Sequence, residues 1–332
     1  MSRIVFISLI VIVCVSAIIA LRVGSENISW ADFFYIITHP SESSSNQMII
    51  WLHRFPRVIA ALLLGAGLAA SGAVLQGLLR NPLAEPYTLG ISGGAALGVT
   101  TAMILLPPVF SSWTFPLAAF AGAFLAVGFV YLIAASQRFS VIGMVLAGVI
   151  LSFIFSSIVL LIFTLANPLQ VQSAFFWLIG NLTGDKTEIV KVIPFFILPS
   201  IIIVYLFGRE LDAMSLGDEK AMHLGVSATQ TRRLLFIITS LLVGACIATA
   251  GMIGFVGLII PHLMRLIIGP KHRPLIIASA LAGASFLVIC DTLARTVLSR
   301  YGQELPVGVI TGIVGGLFFI GFLIRKKTAL SL

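Results

Sequence analysis

Apolar positions along this chain neither alternate nor return every third or fourth residue. They come in solid blocks, at about 4–21, 58–79, 89–106, 115–135, 140–165, 190–208, 234–269, 274–294 and 307–324. A segment of about 20 residues that is apolar all round has the length of a helix crossing a hydrocarbon layer of roughly 30 Å. Backbone groups find no water there, so the crossing elements are helices. The pattern predicts an all-α, polytopic membrane protein. The seventh block is too long for one helix and carries Gly251, Gly254, Gly257 and Pro261. Hydropathy alone does not decide whether it crosses once or twice.

Charge decides it. Only 10% of residues are charged and 59% are apolar, against about 25% charged in a soluble domain, so the outer surface faces lipid. The net charge of +8 comes with no basic cluster interleaved with aromatics, and no nucleic-acid partner is expected. The excess Lys and Arg instead mark cytoplasmic loops. The 209–233 stretch holds Arg209, Lys220, Arg232 and Arg233, and the tail holds Arg325, Lys326 and Lys327. If both are cytoplasmic, an even number of spans separates them and 234–269 crosses twice. About ten transmembrane helices follow, with both termini cytoplasmic. Trp30, Trp51, Trp113 and Trp177 then all fall at the outer interface, where amphipathic rings settle. The first block is expected to be a retained span, because Leu21-Arg22-Val23-Gly24 lacks a small-x-small cleavage site. Cys14, Cys246 and Cys290 lie inside apolar blocks and read as small buried hydrophobes, with no metal spacing among them.

The chain also resembles itself. Residues 62–72 match residues 241–251, so that Gly65/Gly244, Ala66/Ala245, Ala69/Ala248 and Gly72/Gly251 coincide, and Pro82/Pro261 continue the same offset. Ala121-Gly122-Ala123 echoes Ala282-Gly283-Ala284 in the same order. Spans 2–5 would correspond to spans 7–10, and an odd number of crossings between them makes the repeat inverted. Inverted repeats with substrate handled near their interface belong to transporters. Glycines every fourth residue, at Gly90, Gly94 and Gly98 and at Gly308, Gly312 and Gly316, predict close helix packing.

Several polar residues stand out. Gln76 and Asp291 interrupt apolar blocks and are functional candidates on that ground, although Gln76 can serve a helix–helix hydrogen bond and Asp291 can pair with Arg295 one turn on. Arg80-Asn81-Pro82-Leu83-Ala84-Glu85-Pro86 cannot be one helix, with two prolines, and reads either as a tight inner turn or as lining of a transport path. Asp218 to Leu224 reads as a short amphipathic helix stopped by Gly225, followed by a second polar segment from Ser227 to Arg233. It is either a grip for a soluble partner or a plain connector. No Walker A loop, zinc motif, catalytic serine motif or carboxylate cluster is present. No catalytic residue, metal ligand or cofactor is expected, and ATP hydrolysis would belong to a partner chain.

These residues resemble a known family. Arg54-Phe55-Pro56-Arg57, Gly65, Gly72, Gln76, Asn81-Pro82-Leu83-Ala84-Glu85-Pro86 with Leu89-Gly90, Leu146-Ala147-Gly148-Val149, Leu224-Gly225, residues 254–262 and Glu304-Leu305-Pro306-Val307-Gly308 look like the FecCD-type permeases. These are membrane subunits of type II ABC importers for iron–siderophores, haem and vitamin B12. The resemblance implies a single permease domain over 1–332, in the bacterial cytoplasmic membrane, with 209–233 as its coupling loop. It implies a homodimer, two ATP-binding cassette ATPases, and a periplasmic or lipid-anchored substrate-binding protein received at an outer rim by Arg54, Arg57 and Arg295. Glu219, Leu224 and Gly225 would fall in the helix seated on the ATPase, and Gln76, Asn81, Pro82 and Leu83 near the inner gate and path. An iron(III)–siderophore is the expected cargo. Haem, cobalamin or molybdate import and a passive channel remain alternatives.

Overall fold

The computed structural model describes residues 2–24, 26, 28–39, 44–106, 113–183, 187–298 and 303–329; Ser2, Leu323 and residues 325–329, including Arg325, Lys326 and Lys327, lie outside the described side chains. The described residues form helices and no strand. In chain order these are α1 (Ser2–Arg22), α2 (Trp30–Thr38), α3 (Ser45–Met48), α4 (Phe55–Leu78), α5 (Ile91–Leu105), α6 (Thr114–Ser136), α7 (Val141–Leu165), α8 (Pro168–Leu178), α9 (Thr187–Val192), α10 (Pro194–Leu206), α11 (Gly208–Ser215), α12 (Asp218–His223), α13 (Ala228–Ala250), α14 (Val256–Ile268), α15 (His272–Thr296) and α16 (Val307–Ala329). A π-helical turn over Ile49–Arg54 leads into α4, and a 3-10 turn over Pro86–Leu89 precedes α5.

Six helices are long and apolar enough to cross a membrane, namely α1, α4 with its lead-in, α6, α7, α13 and α15. Taken with α11, from which it is bent by 49°, α10 makes a seventh. Three shorter apolar helices, α5, α14 and the apolar part of α16, bring the set to the expected ten. The long seventh block divides into α13 and α14. The break falls at Gly251–Phe255, while Gly257 and Pro261 stay within α14. Gly251 makes the turn with positive φ (+72°), and Phe255 caps α14 with φ +70°.

The inverted repeat is visible in what packs on what. In the first half α5 packs on α6 and α7, and in the second α14 packs on α15 and α16; between halves α4 lies on α14 and α15, and α13 on α5 and α6. At the crossings the small residues bring backbones together. A Cβ on Gly65 would overlap the Gly283 carbonyl, one on Gly283 would overlap that of Gly65, and Gly244 meets Ala123 in the equivalent place. Gly94 and Gly98 approach Gly122 and Ala118 in the same manner, whereas Gly312 and Gly316 face open space among the described residues. Gly72 closes on the carbonyl of Gly257. Pro261, four residues on, has no N–H to give that carbonyl, so the carbonyl is left to face Gly72.

Two expectations change. Pro82 and Pro261 are not equivalent, because Pro82 lies in an irregular stretch and Pro261 inside a helix. The constant offset fails beyond Gly72 because α4 continues to Leu78 where α13 stops at Ala250. Of the three free cysteines, Cys246 and Cys290 are buried, but Cys14 is exposed on α1.

Overpacking a filled crossing costs about 1–3 kcal/mol or more. Gly65→Val is therefore expected to lower the melting temperature of the detergent-purified protein or abolish its recovery, while Gly128→Ala, with nothing within 4 Å of the new Cβ, leaves both unchanged.

Candidate functional site

Three groups of residues carry the chemistry. The first surrounds Asp291 on α15, which is 1% exposed and sits between two arginines. Arg57, at the start of α4, donates from Nε to both Asp291 oxygens at 3.0 and 3.1 Å and from Nη1 to Glu304 Oε2 at 2.7 Å. Arg295 places Nε 3.2 Å from the other side of Asp291 and donates to the Ala20 carbonyl at 3.1 Å. Arg54 donates to the carbonyls of Leu21, Arg22 and Glu26, gathering the turn after α1. The cluster thus ties α1, α4, α15 and the segment entering α16. A cavity of about 420 Å³ opens onto it, lined by Glu26, His53, Arg54, Arg57, Arg295 and Glu304.

The arginines expected at an outer rim are buried, at 5, 9 and 3% exposure for Arg54, Arg57 and Arg295. They are committed to partners within the chain, and the cavity is their opening to the outside. The expected Asp291–Arg295 pair is present. The sequence singled out Arg57 as a docking residue and Glu304 within a motif, but not the Arg57–Asp291 and Arg57–Glu304 pairs, which span 234 and 247 residues and leave no local signal.

The second group lies at the other end of α4. Gln76 is buried and donates to the Leu258 carbonyl at 3.1 Å, holding α4 to α14. Its Oε1 accepts no hydrogen bond among the described residues. The helix then ends in a Schellman motif: Asn81 N–H bonds the Gln76 carbonyl and Arg80 N–H that of Gly77. Arg80 occupies the left-handed position usually given to glycine, with φ +48°. Asn81 Oδ1 accepts the Leu83 N–H at 2.9 Å, fixing a turn that leaves Leu83 on the surface.

Beyond that turn the chain dives back inside. Glu85 Oε1 accepts the Phe255 N–H at 2.7 Å. The Tyr87 hydroxyl accepts from Ile253 N–H at 2.9 Å and donates to the Ile253 carbonyl at 2.8 Å. Residue 85 meets 255 and 87 meets 253, so the irregular stretches before α5 and before α14 run past each other in opposite directions. Neither Glu85 nor Tyr87 was singled out on its own account from the sequence.

The third group is α12. Asp218 at its start is held by Arg232 of α13, at 2.9 and 3.1 Å, and by Arg80. Arg232 also donates to the Phe139 carbonyl at 3.2 Å, in the turn between α6 and α7. Burial alone would raise the Asp218 pKa; the bonds and charges of Arg232 and Arg80 outweigh it and hold the carboxyl below its ordinary value. Glu219 is exposed, and Met222 and Leu224 are 67 and 62% exposed although apolar. Gly225 (φ +81°) ends the helix in a second Schellman motif, with Gly225 N–H on Met222 and Val226 N–H on Ala221. The second polar segment, from Ser227, is no separate element, and its residues from Ala228 form the first turns of α13.

The sequence profile of the FecCD transport family matches residues 9–326. The hemin transport system permease protein HmuU of Yersinia pestis is 34% identical over 93% of this chain and 93% of its own. The vitamin B12 import system permease protein BtuC of Vibrio vulnificus is 40% identical over 83% of this chain and 82% of its own. The Fe(3+)-citrate import system permease protein YfmE of Bacillus subtilis is 39% identical over the same shares. Among solved structures, a metal-chelate type ABC transporter in an inward-facing conformation superposes with a TM-score of 0.87 at 31% identity, over 98% of this chain and 100% of that one.

Removing one member of a buried ion pair strands the other, at a cost of about 3–5 kcal/mol. Asp291→Ala is expected to lose that much in thermal stability, and Glu304→Gln, at a half-open pair, less than about 1 kcal/mol. The Asp218 anchor gives a pH dependence. With its folded pKa depressed, its contribution is present above the ordinary carboxylate pKa of about 3.9 and is lost as pH falls through the lower folded value. Amide exchange over residues 218–224, corrected for intrinsic rates, should stay protected from neutral pH down to about 4 and lose protection below it.

Proposed function

The chain belongs to the FecCD transport family, and from that premise we propose that it is the permease subunit of an ABC importer that carries an iron(III)–siderophore or related metal chelate across the cytoplasmic membrane. The observation that carries the reading is α12, a polar helix displaying apolar Met222 and Leu224 beside Glu219. A lone chain gains nothing by exposing two large apolar side chains on a segment that is otherwise charged, whereas a partner's groove would bury them. That partner is an ABC ATPase, two copies of which serve a homodimer of this subunit. Gly225, in its left-handed turn, sets the angle at which α12 is presented.

Asn81, Pro82 and Leu83 form the inner gate, close to the coupling segment through Arg80, and Gln76 stands at the path beside it. At the opposite end of α4, a periplasmic or lipid-anchored binding protein docks over the cavity that exposes Arg54, Arg57 and Arg295. Because these arginines already hold carbonyls and carboxylates, docking carboxylates would reach into the cavity or exchange with Glu304, and their contribution is to steer and register the partner. Both termini are cytoplasmic, and ATP binding and hydrolysis on the partner bias two states of the permease that open to opposite faces.

An iron chelate is favoured by the haemin and ferric-citrate relatives and by the metal-chelate neighbour; cobalamin is the second reading, supported by the vitamin B12 relatives. Proteoliposomes holding the subunit with its ATPase, given candidate binding proteins and labelled ferric siderophores, haem and cobalamin, test it. ATP-dependent accumulation of a ferric chelate is expected, and Gly225→Pro should reduce it at least about tenfold by misdirecting α12, a loss of about 1.4 kcal/mol or more in coupling. Equilibration without ATP would mean a channel, and accumulation of cobalamin alone would replace the cargo.

A further inference from the structure

At the end of α4 one residue breaks a local rule. In a Schellman motif the C′ position has positive φ and is commonly glycine, because a Cβ there costs roughly 1–2 kcal/mol. Gly225 obeys this after α12; after α4 the position is Arg80, with φ +48°. The arginine side chain makes two contacts that a glycine could not. Arg80 Nε donates to the Met214 carbonyl at 2.8 Å, and Nη2 pairs with Asp218. Met214 lies at the end of α11 and Asp218 at the start of α12, so one planar guanidinium grips both sides of the α11–α12 turn. On the other side of Arg80, with no residue between, stands Asn81. Asp218 is itself fastened to Arg232 of α13, which reaches the α6–α7 turn at Phe139.

We propose that Arg80 is the positioning residue that transmits movement of α12 to the Asn81–Leu83 turn, through a guanidinium bound to Asp218 and Met214 and a backbone contiguous with that turn. This rests on α12 being the ATPase contact and the turn being the gate. A displacement of α12 pulls on Asp218, and the forked pair carries the pull to the C′ residue of α4, which is also the residue that turns the chain into the gate. A fork of two directional bonds passes on rotation as well as translation; a single ammonium would pass on only a pull. The second anchor, through Arg232, makes α13 and α4 follow the same carboxylate, and these are the first spans of the two inverted halves.

Two substitutions separate transmission from mere support. Arg80→Gly suits the left-handed backbone better than the native residue while removing the link. Arg80→Lys keeps the charge and loses the fork. In proteoliposomes with the ATPase and binding protein, Arg80→Gly should lower uptake per ATP hydrolysed about tenfold while hydrolysis continues, and Arg80→Lys should fall between. In the purified subunit, spin labels at Leu83→Cys and Met222→Cys, in a Cys14→Ser background because Cys14 is exposed, should give one narrow distance with Arg80 and a broadened one with glycine. Uptake per ATP equal to the native value in Arg80→Gly, or uptake and hydrolysis falling together with the amount of assembled complex, would overturn the proposal. If the native protein shows no ATP-driven uptake, the importer reading fails instead. The label distances then still decide the link: a distribution unchanged in Arg80→Gly removes it.

Discussion

A peptide group buried away from water has to be bonded by the chain itself, and inside a membrane protein that condition governs every departure from the helix. Among the described residues, this chain departs from it before α5 and before α14, as well as at residues 179–183. The first supplies the second: Glu85 takes the Phe255 N–H, and the Tyr87 hydroxyl takes both the N–H and the carbonyl of Ile253. Each stretch comes from one inverted half, so the break before α14 is held by side chains of the other half, while the backbone of the break before α5 is bonded within its own. The short helices α5 and α14 take their positions from this exchange, and Gly72 against the Gly257 carbonyl sets how closely α4 can lie beside it.

Around that interlock the rest is arranged by side chains that cross long stretches of sequence. On one side Asp291 is shared by Arg57 and Arg295, and Glu304 completes the set. On the other side Asp218 is shared by Arg80 and Arg232. In both, one carboxylate serves two arginines from different helices, and in both an end of α4 takes part. The single helix α4 thus joins the cavity at Arg57, the interlock, the Asn81–Leu83 turn and the α12 segment.

Much of this was legible in the sequence, for identifiable reasons. Solid apolar blocks and the Lys/Arg asymmetry gave the helices and the division of 234–269, because membrane crossing is a one-dimensional constraint. The inverted correspondence was readable in Gly65/Gly244 and Gly122/Gly283, since backbone contact demands small residues wherever it occurs. The offset failed at Pro82/Pro261, where the halves differ in helix length rather than in residue type. Gly225 announced its turn, but Arg80, in the same backbone state, did not, because arginine carries no signal for positive φ. The burial of Arg54, Arg57 and Arg295 was likewise hidden: the carbonyls that hold Arg54 and the carboxylates that hold Arg57 come from elsewhere in the chain, 28 to 33 and 234 to 247 residues away.

The interlock of the two breaks is tested most directly by amide exchange at Ile253 and Phe255 in the purified protein. Both should be protected in the native chain. Tyr87→Phe should accelerate exchange at Ile253, and Glu85→Ala that at Phe255, each by about tenfold or more, the equivalent of about 1.4 kcal/mol, with the amides of Leu263 to Ile268 in α14 unaffected. Unchanged protection at both amides in the two variants would mean that the break before α14 is held by something other than Glu85 and Tyr87, and the account of how the inverted halves are joined would fail.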